Sequence, residues 1–82
     1  NTKDKKVIEA KKQIEEIVFA HKGVMQMHGF YLDTEEKTIS FDIIIDFAAK
    51  DREEIYREIY DGVQAEFKGY KVNITLDVDV SD

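Results

Sequence analysis

From Thr38 to Phe47 the chain alternates: Ile39, Phe41, Ile43, Ile45 and Phe47 hold the odd positions, and Ser40, Asp42, Ile44 and Asp46 the even ones. Side chains two residues apart in an extended strand share a face, so this run predicts a β-strand whose odd-numbered face must be buried. No other feature limits the fold as much. A sheet built around such a strand needs a cover on one side and can leave the other side in water.

The remaining pattern supplies that cover. Val7, Ala10, Ile14, Ile17 and Val18 recur at three- and four-residue steps, predicting an amphipathic helix over residues 7–21 with lysines and glutamates facing outward. His21 and Lys22 are placed as cations against the helix C-terminus, and Gly23 can take a left-handed cap. Val24 to Leu32 is rich in β-formers and is joined to Thr38–Phe47 by a polar turn, Asp33 to Lys37, which reads as a hairpin. Asp51, followed three residues later by Glu54, is an acidic version of the capping box. Ile55, Ile59, Val63 and Phe67 then recur every fourth residue, so a second helix is expected over 51–67. After Gly69, Val72, Ile74, Leu76, Val78 and Val80 alternate with Lys71, Asn73, Thr75, Asp77 and Asp79 as a last strand.

The order is therefore α-β-β-α-β. Two helices with one apolar stripe each, and three strands with one apolar face each, satisfy one another when both helices lie on the same side of the sheet. A right-handed crossover through the second helix sets the last strand parallel to the middle one, giving strand order 1-2-3. The expected fold class is α+β: a two-layer sandwich with a three-stranded mixed sheet, resembling a ferredoxin-like domain that lacks its first strand. At 82 residues and 43% hydrophobic, residues 1–82 make a single domain. Because the chain opens on Asn1, it is read as a processed product or a piece excised from something longer, with the excised piece preferred.

Charge and composition narrow the function. With 18 acidic against 12 basic residues the formal charge is −6, the wrong sign for a nucleic-acid partner and the right one for cations. There is no cysteine, hence no thiolate metal site and no cysteine nucleophile. Gly23, Gly29, Gly62 and Gly69 are isolated and form no phosphate loop. One face of a small sheet offers no enclosing pocket for catalysis, so the chain is not expected to be an enzyme.

A hairpin centred on Glu35 sets His28 opposite Asp42, where directly paired side chains point to one face. The same register puts Met25, Met27 and Tyr31 in the core, and Gln26, His28, Phe30 and Leu32 on the open face. The last strand adds Thr75, Asp77 and Asp79 to that face. An imidazole and several carboxylates on adjacent strands, with no lysine or arginine on the middle strand, define a candidate divalent-cation site. Like charges there repel unless a cation relieves them. The plain alternative is a solvated polar face, the ordinary pattern for an antiparallel hairpin. Phe30, Leu32 and Ile44 on the open face would also favour burial against a second copy.

Three stretches carry a resemblance to a known family. His21-Lys22-Gly23-Val24-Met25-Gln26-Met27-His28 resembles a helix end, a Gly-Val pair and a first-strand histidine. Thr38-Ile39-Ser40-Phe41-Asp42-Ile43-Ile44-Ile45 resembles a second strand, and Phe67-Lys68-Gly69-Tyr70-Lys71-Val72-Asn73-Ile74-Thr75-Leu76-Asp77 a helix exit and final strand. Together they are similar to the cytoplasmic C-terminal domain of cation diffusion facilitator transporters, which export zinc, manganese, iron or related divalent cations. The resemblance implies a homodimer attached to a membrane-embedded transporter part of the same chain, on the cytoplasmic side of the membrane, regulated by bound metal. It implies His28 and Asp77 as ligands matching in kind. Asp42, Glu53 and Thr75 stand where zinc-transporting members often carry histidines. The expected metal set is thus His28, Asp42 and Asp77, with Glu53 offered as a fourth ligand from the second helix, and its carboxylates shift preference toward harder cations. Residues 1–12 carry a net charge of +3 and residues 13–82 of −9, and a basic leading segment fits a neighbouring anionic leaflet. The rival class is a stand-alone ACT-like module that binds a small molecule or a protein partner. An acylphosphatase-like hydrolase is disfavoured, because Arg52 and Arg57 both fall on the second helix rather than in an anion-binding loop.

Overall fold

A computed structural model of the chain describes residues 2–77. It contains α1 (Thr2–Phe19), β1 (Val24–Asp33), β2 (Thr38–Ile45), α2 (Arg52–Glu66) and β3 (Lys71–Asp77). The three strands form one sheet in the order β1-β2-β3. β1 is antiparallel to β2, and β3 is parallel to it. The expected continuation of the last strand through Val78, Asp79 and Val80 lies outside the described residues. Among the described residues no helix is long and apolar enough to cross a membrane.

Both helices cover the same face of the sheet. Ile14 and Val18 of α1 and Ile59 and Val63 of α2 form one buried cluster with Ile39, Phe41, Ile43 and Ile45 of β2 and Val72 and Ile74 of β3. Each of these side chains contributes roughly 1.5–3 kcal/mol by leaving water, and the most apolar strand occupies the centre where burial is greatest. α1 lies over β1, α2 over β3, and the helices touch each other. The burial of β2 alternates without exception from Thr38 to Ile45, as its sequence dictates. Tyr56 and Tyr60 sit at the core margin, and the Tyr56 hydroxyl donates to the Ile74 carbonyl at 2.8 Å.

Several sequence expectations are corrected. Met25 and Tyr31, expected in the core, are 49% and 57% exposed, while Phe30 and Leu32, expected on the open face, pack against the core. The cause is β1 itself, whose register shifts between Val24 and Gln26 and again between His28 and Tyr31. Each extra residue flips the faces of everything beyond it. Gly29, at φ +68°, supplies the left-handed backbone at the second bulge, and Phe30 then turns inward to stack on Phe41 with ring centroids 6.3 Å apart.

Phe47 is 76% exposed, because β2 ends at Ile45 and Phe47 lies in the following turn, its ring 5.8 Å from the Arg52 guanidinium. The Asp51–Glu54 capping box does not form. Asp51 sits in the left-handed region at φ 57° and makes no side-chain cap. Gly23 has no positive φ. It serves close packing instead, since a Cβ there would stand 3.2 Å from both Ala49 Cβ and Ile55 Cδ1. His21 lies beyond the end of α1, with Nδ1 3.7 Å from Oε1 of Glu58 on α2.

Candidate metal centre

The helices leave the other face of the sheet open, and the three strands bring an imidazole and two carboxylates together on it. The antiparallel ladder pairs His28 with Asp42. The parallel ladder pairs Asp42 with Thr75 and Ile44 with Asp77, so Asp77 stands two residues further along β3. The imidazole reaches both acids: Nδ1 is 3.6 Å from Asp42 Oδ2, and Nε2 is 3.5 Å from Asp77 Oδ2. Both distances exceed a hydrogen bond and fall within ion-pair range. One ligand atom from each residue can be chosen such that all lie within 4.8 Å of one another, and all three side chains are open to solvent on one side.

This arrangement offers one nitrogen and carboxylate oxygens, donor types that a first-row divalent cation accepts. A ring can give one ion only one nitrogen, and its other N–H then faces the second carboxylate. That pairing fixes the tautomer and ring orientation at histidine-ligated metals. One nitrogen and one or two carboxylate oxygens suit zinc, manganese or iron(II), with the remaining coordination positions open to water or to a further ligand. Coulomb repulsion between Asp42 and Asp77 favours a bound cation, although partial exposure limits its size.

Glu53 is not brought to these three. It lies in the first turn of α2 and lines a groove with Tyr56, Arg57, Tyr60, Ile74 and Leu76, on the helix-covered side of the sheet. Thr75 pairs with Asp42 across the parallel ladder and so shares the open face. Asp79 lies outside the described residues.

Gly29 was missed by sequence reasoning. A Cβ at this position would stand 3.1 Å from Asp42 Oδ2, the same oxygen that faces His28. An isolated glycine inside a strand pattern marks a bulge or a close approach, and here it is both.

Compared with models of known protein families and with curated proteins, the chain finds no match.

Proposed function

We propose that the chain is the homodimerising, divalent-metal-sensing regulatory domain of a cation efflux transporter, acting at the cytoplasmic side of the membrane. The observation that carries this reading is the convergence of His28, Asp42 and Asp77 from three adjacent strands to within 4.8 Å, in the order of elements that the family resemblance implies. The acidic balance of the chain adds a favourable field for cations.

The proposed dimer now rests on different grounds. With Phe30 and Leu32 turned inward, the apolar residues left outside the core on β1 and β2 are Ile44 and the exposed Met25 and Tyr31, among the described residues. Apolar burial there is small, so the bound cation is what offsets repulsion between two chains of charge −6. Sedimentation velocity is expected to show monomer in chelator and dimer with excess zinc.

Calorimetric titration of zinc and of manganese into the 82-residue chain tests the site. His28→Ala, Asp42→Ala and Asp77→Ala are each expected to weaken binding by about tenfold or more, while Asp61→Ala, an exposed acid on α2, leaves it unchanged. Equal losses in all four variants would reduce the cluster to a diffuse acidic surface. Six apolar membrane-spanning segments encoded ahead of Asn1 are expected, and their absence would remove the transporter from the reading.

A further inference from the structure

We infer that Gly29 is a positioning residue for the cation site, an inference that rests on the metal-sensing reading. Two properties of glycine are used there at once. The backbone is left-handed, φ +68°, which allows one extra residue between the His28 and Tyr31 pairings and so keeps His28 outward while Phe30 turns in against Phe41. The missing side chain also leaves room for Asp42, because a Cβ would approach Oδ2 to 3.1 Å and Cγ to 3.7 Å. An approach of 3.1 Å is tighter than ordinary van der Waals contact, so a Cβ at position 29 requires the Asp42 carboxylate to give by a few tenths of an ångström. Oδ2 is the oxygen that faces His28 Nδ1 at 3.6 Å, so the same displacement alters the geometry between Asp42 and His28 on which the group depends. Gly29 touches no ion. It acts through Asp42.

Gly69 provides the control. It too is left-handed, at φ +86°, but nothing lies within 4 Å of where its Cβ would be. Gly69→Ala therefore carries the backbone cost of an L-residue at positive φ without the intrusion, whereas Gly29→Ala carries both. Gly29→Asn separates the two effects in the other direction. Asparagine accepts left-handed backbone better than alanine does, yet it still places a Cβ against Asp42.

The experiment is zinc titration by calorimetry on the 82-residue chain, at a temperature where circular dichroism shows every variant folded, with thermal melts alongside. Gly29→Ala and Gly69→Ala are expected to melt at similarly lowered temperatures. Gly29→Ala and Gly29→Asn are expected to bind zinc about tenfold more weakly or worse, while Gly69→Ala binds as the parent does. Parent-like binding in both Gly29 variants would overturn the inference and leave the site reading standing. Equal loss in Gly69→Ala would overturn it by reducing the effect to stability. Failure of the parent chain to bind zinc, or unchanged binding in His28→Ala, would overturn the site reading and this inference with it.

Discussion

Asp33 closes the β1–β2 hairpin with a single oxygen. Its Oδ1 accepts the N–H groups of Glu35 at 2.9 Å and Glu36 at 3.0 Å. The bond from Glu36, then that from Glu35, hold the carboxyl below its ordinary value of 3.8, because both favour the ionised form. A carboxyl with a lowered folded pKa stabilises the fold above its unfolded value, and that contribution disappears as pH falls below 3.8 through the lowered value. Asp33→Asn keeps the acceptor geometry but cannot ionise. Urea midpoints of the two proteins are expected to differ at pH 5 and to draw together as pH falls below 3.8, and a gap independent of pH would refute the linkage. The turn was legible in the sequence because aspartate hydrogen-bonds ahead along its own backbone. The left-handed Lys37, φ 56°, was not. Nothing in a lysine announces that conformation, which is held by contacts distant in sequence: its carbonyl accepts the Lys71 N–H at 2.8 Å, and its ammonium lies 5.1 Å from the Tyr70 ring centroid.

At the scale of elements, α1 begins at Thr2, ahead of the apolar stripe that starts at Val7, and ends at Phe19, and β2 stops at Ile45, two residues before its alternation does. By contrast, α2 and β3 were readable because each keeps one period over the described residues. β1 was not, because its two bulges change the phase of an otherwise regular alternation, and a sequence shows phase only if the ladder is unbroken. The stretch from Gln26 to His28 lies between the bulges, which is why the pairing of His28 with Asp42 was recovered while Met25, Phe30, Tyr31 and Leu32 were assigned to the wrong faces. The observed phase has an energetic signature. Phe30 packs on Phe41 at the core margin, so Phe30→Ala is expected to cost roughly 2 kcal/mol, less than a fully buried phenylalanine. Tyr31 is exposed, and Tyr31→Ala is expected to cost under about 1 kcal/mol. Chemical denaturation of the two variants decides the matter. The reverse order of losses would restore the unbulged strand.

The whole molecule distributes charge unevenly, with a net +3 in residues 1–12 and −9 in the rest, and its open sheet face holds the candidate centre away from the core. A diffuse acidic surface and a built site both attract zinc, so attraction alone does not separate them. Linkage and screening do. At zinc about 100-fold above the dissociation constant, binding to the folded chain alone adds about 2.7 kcal/mol, which for a domain of this size raises the melting temperature by roughly 10–20 °C. In 1 M sodium nitrate the Debye length falls to about 3 Å, so attraction summed over scattered surface carboxylates is largely lost, while direct coordination by His28 and the carboxylate beside its ligating nitrogen is weakened far less. The expected outcome is a zinc-dependent shift that survives high salt in the parent chain and in Asp61→Ala but falls to about half or less in His28→Ala. His28→Ala is the decisive variant, because it removes the one nitrogen ligand without altering the number of carboxylates. If the shift persists in His28→Ala at low salt and vanishes from the parent at high salt, the three residues are part of a solvated face.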